Sequence, residues 1–371
     1  MWRHIASNFL TLLVVIIFLL GGMILWGQKQ YSTSGPLSEA MCLRVEPGST
    51  MRRISRRLED EGAIASGTIF RIGAEYGDKV DDLKAGSWLI PERASMSQIT
   101  DIITRGGASS CGTEVVYRIG IASAEVLVRE LNTGTGRYEE RIAFDPAIDE
   151  ARPDLFTRVR GQADTRYRIA LAEGVTSWQV VEELKSVDVL EGAVAELPAE
   201  GSLAPDSYEV RQGDTRESVI ARMRAAQDFI LAEAWQNRAE DVPLASAYEA
   251  LILASIIEKE TGVAEERRQV ASVFTNRLKR GMRLQTDPTV IYGVTKGQGI
   301  LGRGLRQSEL RAATPWNTYV IDALPPTPIA NPGRASIEAA VNPDSTDYIF
   351  FVADGTGGHA FAQTLEEHNR N

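Results

Sequence analysis

Hydrophobic positions fall along this chain in three different patterns, and each predicts a different kind of element. The first is unbroken. From Phe9 to Trp26 the residues are apolar except for Thr11 and the small Gly21 and Gly22. At about 1.5 Å per residue a helix of that length reaches roughly 27 Å, enough to cross a bilayer core. No A-x-A-like exit follows Trp26, so the run reads as an uncleaved anchor over 9–27 rather than a signal peptide. Arg3 is the firm positive charge ahead of it, which places residues 1–8 on the cytoplasmic side and the rest of the chain outside. Residues 28–40, polar with Ser, Gly and Pro, read as a linker.

The second pattern recurs: a short β-branched strand, a turn with Gly or Ser, then an amphipathic helix. It is found at 42–58, 117–131 and 167–184. A companion pattern pairs Gly86–Ser95 with Asp206–Thr215, placing Trp88 and Tyr208 in the same slot, with Ile99 or Val219 matching in the helix that follows. Repetition this sparse predicts duplicated small α+β modules, one over 41–108 and another over 165–245, rather than a solenoid. Residues 109–164 are less regular and read as an inserted segment, a partial repeat at most.

The third pattern is a helix apolar on every face. Ser246 and Glu249 form a capping box for it, residues 250–257 are core, and Gly262 supplies a left-handed stop. Glu258 is the first charge to emerge. A second helix starts near Val263 and stops at Gly281, and an irregular polar stretch over 282–293 follows. The tail reads as two strands and a final helix through His368. The expected fold class is therefore α+β: an anchor, small α+β modules, and a C-terminal α+β domain over 246–371.

Composition narrows the chemistry. Three histidines and two cysteines in 371 residues leave no His/Cys cluster for a metal or an iron–sulfur centre. A net charge of −10 argues against nucleic acid as partner. Chemistry then rests on carboxylates, hydroxyls or amides. Glu258 stands where the helix dipole is negative and Ile256 and Ile257 keep water away. Both disfavour the charged form of a carboxyl group, the condition a glycosidic general acid needs. Gln285, Asp287, Thr289, Tyr292, Asn317 and Tyr319 are polar or aromatic groups suited to carbohydrate. Glu260 lies roughly 200° around the helix from Glu258, which counts against it as a partner. Cys42 and Cys111, both beyond the anchor, could pair in an oxidising compartment or remain thiols.

Six ordered motifs carry a resemblance. They are Ala254-Ser-Ile-Ile-Glu-Lys-Glu-Thr261, Asn276-Arg-Leu278, Leu284-Gln-Thr-Asp-Pro-Thr-Val-Ile-Tyr292, Pro315-Trp-Asn-Thr-Tyr319, Leu324-Pro-Pro326 and Gly358-His-Ala-Phe361. In order and spacing they resemble the YceG-like (MltG) endolytic murein transglycosylases, closely over 165–371 and more loosely upstream. The family's Gly-Leu-Pro-Pro-Gly-Pro-Ile is here Ala323-Leu-Pro-Pro-Thr-Pro-Ile329. The resemblance implies LysM-like modules that hold glycan and Glu258 as sole catalytic acid/base. It implies cleavage of the MurNAc–GlcNAc bond of nascent peptidoglycan to 1,6-anhydro ends, with no cofactor. It further implies an inner-membrane location with the catalytic domain in the periplasm, and peptidoglycan synthases as partners. Two rivals remain: a non-catalytic wall-binding scaffold, and a serine hydrolase using His359 or His368, for which no Gly-x-Ser-x-Gly elbow is present.

Overall fold

The computed structural model describes residues 2–107, 109–149, 152–162 and 164–371, the side chains of residues 2–10 excepted. The expectation resting on Arg3 therefore lies outside the described side chains. The chain divides into two compact units: residues 1–115 with 128–142 and 152–166, and residues 116–127 with 143–151 and 167–371.

The first unit opens with α1 (Trp2–Ser32), whose segment Thr11–Ser32 holds an 18-residue stretch of mean hydropathy 2.2 and is long enough to cross a membrane. The helix runs through the start of the expected linker: residues 28–32 continue α1 because Gln28, Lys29 and Gln30 are good helix formers with no breaker before Gly35. Then follow β1 (Met41–Val45), α2 (Met51–Asp60), α3 (Gly67–Tyr76), β2 (Gly86–Ile90) and α4 (Met96–Arg105). β1 and β2 pair antiparallel, with Leu43 opposite Trp88. The result is a strand–helix–helix–strand unit. Thr50 caps α2, and Met51, Ile54, Ser55 and Leu58, at i, i+3, i+4 and i+7, form its buried face. Leu43, Ile54, Leu58, Phe70, Ile90, Ile99 and Ile103 fill the core.

Cys42 and Cys111 are joined in a disulfide across 69 residues of sequence. Closing a loop of that size removes about 4 kcal/mol of denatured-chain entropy at 25 °C. Replacing both cysteines by serine is expected to lower the urea midpoint with an unchanged final fold. Equilibrium unfolding with circular dichroism checks this.

Next come β3 (Thr113–Ile119), β4 (Ala124–Asn132), β5 (Arg137–Phe144), α5 (Asp154–Val159), β6 (Arg166–Leu171), α6 (Ser177–Ser186) and β7 (Ser207–Val210). The strands form one sheet in the order β5-β4-β3-β6-β7. The expected strand–turn–helix over 117–131 is thus a strand followed by another strand. Val126 and Val128 are β-branched, and no capping box precedes them, so nothing local starts a helix at Ala124. The 167–184 copy does fold as strand, turn and helix, with Thr176 capping α6. It has one helix between its strands where the first unit has two.

The companion pattern places like local contacts in both segments. Trp88 Nε1 donates to the carbonyl of Lys84 at 3.1 Å, and Tyr208 Oη donates to that of Ala204 at 2.7 Å, each four residues back. Ser95 caps the helix after the first, Thr215 the helix after the second, and Ile99 and Val219 are both fully buried.

The remainder of the second unit is α7 (Arg216–Gln236), α8 (Ala247–Glu260), α9 (Arg267–Lys279), α10 (Asp287–Thr295), α11 (Gln307–Leu310), α12 (Arg334–Val341), β8 (Phe350–Ala353), β9 (His359–Ala362) and α13 (Leu365–Arg370). β8 and β9 pair antiparallel. Helix α8 is the hub: all of residues 250–257 are buried, and α7, α9, α10 and α12 pack around it. Three local details differ from expectation. Glu249 reaches past Ser246 to the amide of Ala245 at 2.6 Å. The helix ends at Thr261, whose extended backbone turns the chain, so Gly262 is not needed in the left-handed region. Residues 287–295 form a helix, started by Asp287 and Pro288 in its first turn.

Candidate active site

The last turn of α8 carries Glu258, Lys259 and Glu260 out of a dry core, and three chain segments meet there. Glu258 is half-buried, and its Oε2 accepts the backbone N–H of Gly333 at 2.9 Å. That amide is held from behind. The N–H of Ile329 donates to Ser255 Oγ of α8 at 3.0 Å. Asn331 exchanges backbone bonds with the turn after β6: its carbonyl accepts from Gly174 N–H, and its N–H donates to Val175, both at 2.9 Å. The Asn331 side chain, fully buried, donates to Val175 O and accepts from Leu203 N–H, each at 2.9 Å. Asn331→Ala strands the Leu203 amide in the interior, at a cost of about 2 kcal/mol or more. A thermal midpoint several degrees lower is the expected reading.

The same clamp brings a second carboxylate to Glu258. Glu173 sits in the turn between β6 and α6, and its carboxyl group lies directly over the α-carbon of Gly333, where a Cβ would overlap it. Its side chain is 44% exposed and ion-pairs with Arg267 at 3.5 Å. Partial burial, and secondarily the charge of Glu258, push the Glu173 carboxyl above its ordinary value, with Arg267 pulling the other way. Gly174, at φ +78°, packs against the Glu258 and Lys259 stems. Lys259 Nζ donates to the Gly174 carbonyl at 3.3 Å, and burial lowers its pKa.

Glu260 faces other partners, as the helix angle requires. It accepts from Thr286 Oγ1, and burial raises its pKa. Nearby, Tyr319 Oη donates to Asp287 Oδ1 at 2.7 Å, and the Tyr319 phenol is pushed up by burial and by that bond.

The remaining expected sugar contacts separate into two kinds. Gln285 and Asp287 are exposed, Gln285 in the left-handed region at φ +51°. Thr289 and Asn317 are fully buried. Thr289 Oγ1 donates to Thr286 O at 2.7 Å, and Asn317 Nδ2 donates to the carbonyls of Glu309, Leu310 and Ala312, so both brace loops. Tyr292 stands between: its ring meets Trp316 at 5.7 Å, and its hydroxyl donates to Glu200 at 3.2 Å. Burial raises the pKa of Glu200, which also accepts the Ser177 amide. His359 Nδ1 contacts Glu266 at 2.7 Å, and His368 stacks on Phe350 at 5.2 Å. The rings therefore have structural partners rather than a serine.

Glu173 was not singled out in the sequence. Its one local signal is Ala172-Glu-Gly-Val-Thr176, a Gly turn between a strand and a capped helix.

A family model described as the YceG-like family matches residues 43–371. The chain belongs to the YceG-like family. Among curated relatives, an endolytic murein transglycosylase of Streptococcus pneumoniae serotype 2 is 26% identical over 382 residues, covering 99% of this chain and 65% of the relative. One of the same name from Bacillus subtilis is 39% identical over 173 residues, 47% of each protein. The chain thus spans less than two thirds of the length of these YceG-like relatives. A crystal structure of a YceG-like protein from Listeria monocytogenes is 25% identical, covering 90% of this chain and 98% of its own, with a TM-score of 0.48.

Proposed function

We propose that the chain is an endolytic peptidoglycan lytic transglycosylase in which Glu258 is the acid and then the base. The observation that carries this reading is the position of Glu258: a carboxyl group at the end of an apolar helix, fixed by the Gly333 amide, in a family whose curated relatives bear that name. Glu258 gives its proton to the glycosidic oxygen as the MurNAc C1–O bond breaks. The MurNAc C6 hydroxyl attacks C1 and returns its proton to the Glu258 carboxylate, closing a 1,6-anhydro ring. The nucleophile is tethered to the substrate, so no water needs activating. Glu173 lies beside Glu258, and its own carboxyl is held above its ordinary value by burial and secondarily by the charge of Glu258.

In this reading the strand–helix–helix–strand unit is LysM-like and holds glycan, α1 anchors the chain in the inner membrane with the bulk of the protein in the periplasm, and the substrate is the nascent strand delivered by membrane synthases. Gln285, Asp287 and Tyr319 line the sugar path. Mass spectrometry of isolated glycan strands digested by the full chain tests it. Anhydro-ended products are expected. Reducing ends would make the protein a hydrolase, and no products would make it a wall-binding scaffold.

A further inference from the structure

Helix α3 of the first unit has three faces. Phe70 and Ala74 are buried in the core, Ile72, 61% exposed, and Tyr76, 85% exposed, are on the side turned away from it, and Arg71 and Glu75 lie between these two faces. A large aliphatic and a large aromatic side chain thus stand one turn apart, both uncovered.

Their position relative to α1 explains them. Tyr31, in the last turn of α1, lies against the α-carbon of Gly73, where a Cβ would run into its ring. Its hydroxyl donates to Thr100 Oγ1 of α4 at 2.8 Å, so the end of α1 is fixed to the unit at two points. At about 100° per residue, Tyr76 and Ile72 lie roughly 60° and 100° round from Gly73, both on the same side. Arg71 and Glu75 lie about 160° from it, one to each side. The apolar pair therefore flanks the contact with α1, and the charges are turned away from it.

Depth follows from the helix itself. The apolar run of α1 ends at Trp26, and Tyr31 is five residues further on, still helical. Five residues rise about 7 Å, which is the thickness of the headgroup layer on one side of a bilayer. Gly73, touching Tyr31, is at that depth. Aromatic and aliphatic side chains partition favourably there.

We propose that the Ile72–Tyr76 face of α3 rests in the headgroup layer of the same membrane that α1 spans, so that the first unit lies on the lipid surface instead of swinging from a flexible tether. The inference rests on the reading of α1 as a membrane span. It gives the direct helical continuation of α1 into the unit a purpose: a rigid joint sets the height of α3.

The test uses the full chain in phosphatidylcholine–phosphatidylglycerol vesicles. Cys42 and Cys111 are bonded to each other and there is no free cysteine, so one introduced thiol can be labelled with an environment-sensitive fluorophore. The sites are Ile72→Cys, Tyr76→Cys, Glu75→Cys as the outward control, and Leu19→Cys inside the span. Lipid spin-labelled at the headgroup is expected to quench positions 72 and 76 by roughly twofold or more, with blue-shifted emission, and to leave 75 near its value in water. If 72 and 76 behave like 75 while acyl-chain spin labels quench 19, the anchor stands and the proposal is overturned. If 19 is also unquenched, α1 does not span the bilayer and the proposal falls with that reading.

Discussion

Glu258→Gln is expected to abolish release of anhydro-ended fragments, with kcat lower by about three orders of magnitude or more and the fold intact, since positioned proton transfer contributes up to about 10⁴. The two halves of that expectation come from different atoms. The fold is preserved because the native contact is an accepted hydrogen bond from Gly333 N–H, and a glutamine carbonyl oxygen accepts it equally well. The core helix beneath, residues 250–257, is untouched. Chemistry fails because an amide has no proton to give a glycosidic oxygen and no basic site to take one from the C6 hydroxyl. Digestion of purified glycan, analysed by mass spectrometry beside a thermal melt, reads both. A variant that melts normally and still yields anhydro ends would remove Glu258 from the mechanism.

What the sequence reveals and what it conceals in this molecule follow from the range of the interactions involved. The long apolar helix α1, the buried run of α8 and the emergence of Glu258 from it depend on residues within a turn or two of each other, and hydrophobic periodicity reports them directly. The caps are equally local: Thr50, Ser95, Thr176 and Thr215 each accept the amide three residues on. The error over 124–131 is also local in origin, because a short apolar stretch after a turn suits helix or strand, and pairing within a sheet decided for strand. Glu173 is a different matter. It reaches Glu258 only because backbone bonds tie the turn at 174–175 to Asn331, more than 150 residues away, and no pattern near Glu173 encodes that pairing. Thr289 and Asn317 err the other way. Their residue types suit a sugar, but a neighbouring helix start and three loop carbonyls claim them first.

Glu173 can be removed from beside Glu258 in two independent ways, and both are expected to lower kcat by about tenfold while KM changes little. The direct way is Glu173→Gln, which keeps the shape and deletes the charge. The indirect way is Gly333→Ala. The backbone there has φ −72°, which alanine adopts freely, so the substitution imposes no conformational strain. Its new methyl group instead occupies the space now filled by the Glu173 carboxyl, and that half-exposed side chain must swing out toward solvent. The Gly333 N–H to Glu258 remains. Glu173 is raised above its ordinary value by burial and secondarily by the charge of Glu258. Either variant takes that titrating carboxyl out of the site, so the kcat–pH profiles of the two should differ from the parent's in the same way. Because both changes remove the same carboxyl from the same place, the double variant should lose little beyond either single one, a coupling that unrelated structural damage would not produce. Unchanged pH profiles in both singles, or fully additive losses in the double, would reduce Glu173 to a partner of Arg267 and leave Glu258 to act alone.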